Sequence, residues 1–182
     1  SHGAHADYPH FFRKSQEKLA REQRRLSHCE KGSSRYMKQK KKIARLHAHI
    51  ARQRKDYLHK ESRKITNFYD LVCIESLNMK EMSQDMCFGK RVHDNGWGMF
   101  TDFLAYKMER TGKKLVRIDR WYPSSKTCSC CGNIKEDLQL SDRIYECACG
   151  NRMDRDQNAA INICREGIRI SGMILDTEKK IS

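Results

Sequence analysis

Four cysteines in the C-terminal third constrain this chain more than any other feature. Cys128 and Cys131 are spaced C-x-x-C, fifteen residues separate Cys131 from Cys147, and Cys149 follows as C-x-C. Both pairs end in Cys-Gly, as Cys131-Gly132 and Cys149-Gly150. Two short-spaced thiol pairs at this separation read as a zinc ribbon, because structural zinc takes four tetrahedral ligands, commonly all thiolate, from two knuckles. Four thiolates leave no open position for water, so the site reads as structural, with binding supplying folding energy to a segment that has little core of its own. Cys130 is an extra thiol that could compete with Cys128 or Cys131. The reading prefers Cys131, whose Gly132 mirrors Cys149-Gly150, and then Cys128, which restores C-x-x-C. The alternative is a set of free thiols in a small core.

The rest of the composition bears on partners. Residues 1–66 carry 19 Lys and Arg against 6 Asp and Glu, a net of +13, whereas residues 67–182 carry 18 against 17. Nearly all of the +14 net charge therefore lies in the first third. A block of this kind faces a polyanion, most often nucleic acid; the plainer alternative is a solvated, lysine-rich helical face. Seven of the eight histidines lie in the same region, away from ligand spacing with any cysteine, and are expected at the surface. No apolar run approaches the roughly 18–20 residues of a membrane span, and no signal-peptide core is visible. Nine cysteines in such a chain argue for reduced thiols and metal rather than disulfides, and for the cytoplasm or nucleoid as the setting. Cys29, Cys73, Cys87 and Cys164 are expected to be small buried apolar residues.

Hydrophobic period gives the organisation. Residues 1–9 show none. Phe12, Leu19 and Leu26 recur every seven residues and predict a helix over 10–29. Lys31-Gly32-Ser33-Ser34 breaks it and could cap a second helix over 35–66, where Tyr36, Ile43, Ile50 and Tyr57 recur, with Leu46 beside them. The two are expected to fold back as a basic antiparallel hairpin. Phe68 to Ile74 is a nearly continuous apolar run that reads as a strand buried on both faces. A polar loop over 78–93 leads to a third helix over 95–111, ended by Gly112. Residues 114–121 alternate like a strand, and a last helix is expected over about 156–167. Strand, helix, strand, insert and helix in this order predict an α/β sheet interrupted by the cysteine module.

Two acidic residues stand at element ends: Glu75 closes the apolar strand and Asp156 opens the last helix beside the cysteines. Acidic groups at sheet ends can share Mg²⁺ or Mn²⁺, which prefer oxygen ligands, and two such ions can clamp a phosphodiester. Equally, Asp154 and Asp156 could simply cap a helix N-terminus, and Glu75 could solvate a strand end. The residues alone leave both readings open.

Taken together, Ile74-Glu75-Ser76-Leu77-Asn78, Pro123 through Gly132, Leu140-Ser141-Asp142-Arg143 and Cys149-Gly150 through Asp154-Arg155-Asp156-Gln157-Asn158-Ala159-Ala160-Ile161-Asn162-Ile163 resemble the insertion-sequence OrfB/TnpB proteins, transposon-encoded relatives of type V CRISPR effectors. The resemblance covers roughly residues 10–165. It implies an incomplete RNase H-like (RuvC-like) α/β domain with a basic helical hairpin and an inserted zinc ribbon. The implied division is a hairpin at 10–66, a RuvC-like segment at 67–122, a zinc ribbon at 123–152 and a C-terminal RuvC-like helix at 153–168. By motif, Glu75 matches the second catalytic carboxylate and Asp156 the third, as ligands of Mg²⁺ or Mn²⁺; Asp154 is a neighbouring acid not expected to be a ligand. Cys128, Cys131, Cys147 and Cys149 match the zinc positions. The implied activity is RNA-guided, metal-dependent DNA cleavage linked to transposition, with DNA and guide RNA as partners.

The family's first catalytic aspartate lies upstream of the hairpin, and Asp7 does not replace it. The expectation is therefore the C-terminal part of a longer protein, inactive alone, exposing an unpaired sheet edge and needing an N-terminal fragment or a second copy. The second reading is a catalytically dead zinc-ribbon module that holds nucleic acid, and a third is a zinc-stapled interaction protein with solvated lysines.

Overall fold

The computed structural model describes residues 9–77, 96–139 and 141–172. Its helices and small sheets make an α/β chain in two compact units, one built from residues 9–68 and 96–107, the other from 69–77 and 108–172. Among the described residues, no helix is long and apolar enough to cross a membrane. The expectations for Asp7, Asn78, the 78–93 loop, Cys87 and Leu140 lie outside the described residues.

The first unit is dominated by a helical hairpin. Helix α1 spans Phe11–Ser27 and helix α2 spans Ser34–Phe68, within two residues of the predicted limits at each end. The break works as expected: the Ser33 Oγ accepts the Tyr36 N–H at 3.1 Å, satisfying a donor that the first turn leaves orphaned. The packed seam uses the sevenfold apolar repeat in part: Leu19 and Ile50 of the repeat are buried, Leu58 joins them from outside it, and the Phe11 ring meets the Tyr57 ring edge-on at 6.0 Å.

That seam is thin, and a buried carboxylate reinforces it. Glu22 is 1% exposed. Gln39 Nε2 donates to its Oε2 at 2.7 Å and to its backbone carbonyl at 2.9 Å, while Lys42 Nζ stands 3.0 Å from Oε2 and Arg25 Nη1 3.3 Å from Oε1. A buried anion with this many donors is stabilised in its charged form. The Gln39 amide and the Lys42 ammonium hold the Glu22 carboxyl down to about 2.

His59 departs from the surface position expected of it. Its ring stacks on Phe103 at 3.8 Å, and burial followed by the charge of Lys107 pushes its pKa down. Lys107 is itself buried, donating to the His59 carbonyl at 2.7 Å and to Ser62 Oγ at 2.6 Å. His10, His28, His47 and His49 are exposed as expected.

In the second unit, β1 (Leu71–Glu75) pairs in parallel with β2 (Lys114–Ile118), Glu75 lying opposite Ile118. Parallel pairing needs a crossover, and the intervening sequence contains helix α3, Trp97–Arg110. Thr111 and Gly112 close that helix, Gly112 in the left-handed region at φ 67°. The strand begins later than its apolar run suggests: Phe68 and Tyr69 are exposed, and Glu75 is the last strand residue rather than the one after it. Only Ile74 is fully buried in β1, so the strand is covered less completely than expected.

A short antiparallel pair follows, β3 (Ile144–Glu146) and β4 (Arg152–Asp154), and then helix α4, Arg155–Ser171. Helix α4 runs four residues beyond its predicted end because Gly167 is internal to it: a Cβ there would lie 2.3 Å from Cys73 Sγ and 2.7 Å from Cys73 Cβ. Gly167 thus lets the helix lie directly on the sheet, and Gly172, at φ 65°, ends it. Cys73, half-buried at this contact, has its thiol pushed up to about 11 by burial, consistent with a small apolar role.

The Glu22 pKa carries a pH signature. Its folded value lies below the ordinary 4.5, so its contribution to stability is complete above about pH 4.5 and is lost as pH falls toward 2. Thermal melts followed by helical circular dichroism between pH 2 and 6 are expected to show this loss, and Glu22→Gln is expected to flatten it while lowering the melting temperature at pH 6.

Candidate functional site

The cysteine module is built on two turns, each closed by a glycine in the left-handed region. At the first, the Gly132 N–H donates to the Cys128 carbonyl at 2.9 Å and Gly132 has φ 78°. At the second, the Gly150 N–H donates to the Cys147 carbonyl at 2.9 Å and Gly150 has φ 90°. A side chain would strain either position, which accounts for the Cys-Gly repeat. The turns bring four sulfurs together: Cys128 Sγ lies 3.7 Å from Cys149 Sγ, Cys131 Sγ lies 3.6 Å from Cys147 Sγ, and all four fall within 4.8 Å of one another. These separations are far beyond the roughly 2.05 Å of a disulfide. Cys130, exposed, does not belong to the cluster.

The electrostatics of the four thiols favour a bound cation. Burial opposes ionisation of Cys128, yet the backbone N–H groups of Cys131 and Cys130 and the Asn151 amide hold its thiol down to about 6. At Cys149 the Asn151 N–H favours the thiolate, but the neighbouring Cys131, Cys147 and Cys128 thiols push it up to about 12. One thiolate is readily held here and further ones repel it. A metal ion removes that repulsion, so the cluster could hold one. Behind it, Tyr145 is fully buried and its hydroxyl donates to the Lys126 carbonyl at 3.0 Å.

Helix α4 anchors this module through two asparagines one turn apart. Asn158 and Asn162 are 0% and 3% exposed. The Asn158 Oδ1 accepts the Ser129 N–H at 2.9 Å and its Nδ2 donates to the Thr127 carbonyl at 2.7 Å. The Asn162 Nδ2 donates to the Ser124 carbonyl at 2.8 Å and the Thr127 carbonyl at 2.6 Å. Ser124 then turns to the strand: its Oγ donates to Glu75 Oε1 at 2.5 Å, within the range of charge-assisted O–H···O⁻ bonds. Glu75 is half-buried at the carboxyl end of β1. Among the described residues Ser124 is its hydrogen-bond partner, at one oxygen only.

The two acids at the start of α4 divide their tasks. Asp154 is the N-cap: its Oδ1 accepts the N–H groups of Asp156 at 2.9 Å and Gln157 at 3.0 Å. Asp156 sits in the first turn with its side chain 67% exposed, its nearest cation the Arg155 guanidinium at 3.8 Å. Asp154 therefore serves the helix, and Asp156 remains available to a ligand. Among the described residues, the cysteines form the metal-ligand group of three or more side chains, and neither Glu75 nor Asp156 belongs to such a group.

Sequence reasoning missed Ser124, Asn158 and Asn162. The signal was present in Asn158 and Asn162 at i and i+4, two polar residues repeating on the face that a helix must bury. In the helical hairpin, separately, Lys14, Lys18, Arg21 and Arg25 line one exposed face of α1 at spacings of three and four residues, with Glu17 among them and His28 just past the helix end. This stripe extends along most of a helix about 25 Å long.

Two family models match the chain: a probable transposase family of the insertion-sequence OrfB type over residues 2–86, and the Cas12f1-like TNB domain over residues 97–163. A "Putative RNA-guided DNA endonuclease" of Streptomyces pristinaespiralis is 38% identical over 90% of this chain and 40% of its own length. The "Putative RNA-guided DNA endonuclease InsQ" of Escherichia coli is 34% identical over 86% of this chain and 42% of its own length. The chain thus spans about two fifths of the length of these relatives. Among solved structures, a chain of the "Cryo-EM structure of the Cas12f1-sgRNA-target DNA complex" shares its fold with a TM-score of 0.60, at 22% identity, over 88% of this chain and 44% of that one.

Two outcomes follow from the geometry. Elemental analysis of the purified chain is expected to give one metal ion per chain, lost in Cys128→Ser and kept in Cys130→Ser. Asn162→Ala is expected to lower stability by about 1–3 kcal/mol by leaving the buried Ser124 carbonyl without its donor. Asn162→Asp, which has the same shape but brings a buried charge, should cost more in the same denaturant titration.

Proposed function

This chain belongs to the insertion-sequence OrfB/TnpB family, and we propose that it carries two carboxylates of a metal-dependent, RNA-guided DNA endonuclease linked to transposition. The single observation behind this reading is the hydrogen-bonded path from Glu75 through Ser124 to Asn162, on the helix whose first turn bears Asp156. A strand-end glutamate needs no such path merely to meet solvent. In this reading the β1–β2 pair and α4 belong to a RuvC-like domain of the RNase H-like fold, interrupted by a zinc ribbon at 123–152 and preceded by the basic hairpin.

Zinc suits the cluster. A tetrahedral ion with Zn–S bonds near 2.3 Å separates its sulfurs by roughly 3.8 Å, close to the 3.6 and 3.7 Å spacings of the two nearest pairs. Four sulfur ligands close the coordination sphere, so this ion is structural. Its place in the function is mechanical: it would fix Cys128, and Thr127 and Ser129 on either side of it are the residues that Asn158 grips.

Glu75 and Asp156 offer hard oxygen donors of the kind Mg²⁺ or Mn²⁺ takes from one or two carboxylates together with phosphate and water. Such an ion, when bound, supplies charge stabilisation at the phosphodiester and a more acidic water. The protein's own share is positional. Ser124 fixes one Glu75 oxygen and, among the described residues, leaves the other without a hydrogen bond, and the Asp154 cap frees Asp156 from capping its own helix. Cleavage is expected to need the family's first aspartate, which lies upstream of the hairpin, alongside Glu75 and Asp156. The α1 stripe supports binding of a phosphate backbone, whether guide RNA or DNA.

A second reading, a nucleic-acid-binding module without catalysis, draws on the same stripe. Cleavage of DNA by the zinc-loaded chain in Mg²⁺, with guide RNA and an N-terminal fragment bearing the aspartate, separates the two. Metal-dependent cleavage is expected, reduced by orders of magnitude in both Glu75→Ala and Asp156→Ala. Salt-dependent binding with no cleavage under any of these conditions would leave the binding module as the function.

A further inference from the structure

Between β2 and the cysteine module, residues 118–124 form an arch with both feet at Glu75. The first foot is Ile118, fully buried, paired in register with Glu75 and accepting the Ser76 N–H at 3.2 Å. The second is Ser124, 5% exposed, bonded to the Glu75 carboxylate. The span between them is braced from within. Asp119 Oδ1 accepts the Trp121 N–H at 2.7 Å, its carbonyl accepts the Tyr122 N–H at 3.2 Å, and the Tyr122 carbonyl accepts the Ser124 N–H at 2.7 Å. At the crown stands Trp121, 77% exposed, with the Arg120 guanidinium carbon 4.5 Å from its ring centroid.

We propose that Trp121, with Arg120 laid against it, is a stacking platform for an unpaired nucleobase of the DNA strand presented to Glu75. The proposal rests on the nuclease reading of Glu75 and names how that site would hold its strand. Singly exposed apolar residues are common and mean little. Trp121 differs in three respects. An indole left in water forgoes the gain of burying a large apolar side chain, and a braced arch keeps it from collapsing onto the sheet. The ring is paired with a guanidinium, and an aromatic face beside a positive charge is the combination that holds single-stranded nucleic acid, the one stacking on a base and the other meeting the backbone. The arch that carries the ring stands on the two residues that flank the Glu75 carboxylate, so a base held there lies on the strand whose phosphates are within reach of that acid. The base must be unpaired, because a base within a duplex presents only its edges.

Fluorescence isolates the platform. In a Trp97→Phe background, Trp121 is the one remaining tryptophan, and its emission is titrated in Mg²⁺-free buffer with four probes of equal length: a single-stranded oligodeoxynucleotide, an abasic strand, the matching oligoribonucleotide and a DNA duplex. Quenching by the base-bearing DNA strand, little by the abasic strand or the duplex, is expected. Trp121→Ala should weaken binding of that strand by roughly 5- to 150-fold, and Trp121→Phe should retain most of it. Equal quenching by the abasic strand or the duplex, a response confined to RNA, or unchanged affinity in Trp121→Ala would overturn the proposal. Because no cleavage is involved, the outcomes stay separable. Base-dependent quenching with no cleavage even when the family's first aspartate is supplied upholds the platform and removes the nuclease reading, while cleavage without such quenching removes the platform alone.

Discussion

The second unit depends on two buried amides. Asn158 and Asn162 project from one face of α4 and bind the backbone of residues 124–129 as a sheet neighbour would, donating to its carbonyls and accepting one of its N–H groups. A loop whose strand pairing is limited to the Thr127–Ile134 bridge has further polar groups to satisfy, and burying them without donors would cost more than its few apolar contacts return. The asparagines solve this with side chains, so the segment can be irregular and still buried. Irregularity is what the segment needs, since it must turn one way to put Cys128 into the cluster and the other way to put the Ser124 hydroxyl on Glu75.

This arrangement makes the cysteine cluster and the acidic residues one mechanical system. Cys128 is flanked by the two residues held by Asn158, and Ser124 is held by Asn162 one helical turn later. Rigidity at the cluster is therefore passed to the Glu75 carboxylate over a few residues. Gly167 serves the same end from the other side, since the helix must lie against Cys73 and Val116 for its asparagines to reach the loop at all. A side chain there would lift α4 from the strand that ends in Glu75.

What was legible in the sequence, and what was not, follows from the range over which each signal acts. The hairpin was readable because sevenfold spacing of Leu19, Ile43 and Ile50 is a local pattern and Gly32-Ser33 a local break. The cysteine set was readable because paired spacing and the repeated Cys-Gly encode the turns themselves. The start of β1 was misjudged because Phe68 and Tyr69 are apolar by composition yet exposed, and periodicity does not report which apolar residues find a partner. Helix α4 ran past its expected end because Gly167 looks like a stop when nothing reveals Cys73 packed against it. Glu22, His59, Ser124 and the asparagine pair were missed for a shared reason: each is a polar residue whose partner lies seventeen to forty-nine positions away. Long-range polar pairing leaves no periodic trace.

The basic hairpin raises a different question, how a helix pair with so much like charge packs without consuming the charge that a nucleic acid would need. Glu22 answers it. Its shortest contacts run to Gln39 at 2.7 Å and Lys42 at 3.0 Å, both on α2, while Arg25 and Arg21 on its own helix stand at 3.3 and 3.9 Å with side chains 59% and 61% exposed. The buried anion is thus satisfied chiefly from across the hairpin. Exposed, distant ion pairs contribute little to stability, so Arg21 and Arg25 can turn to an external phosphate at small cost to the fold. One interior carboxylate keeps the helices together and leaves the stripe on α1 positive.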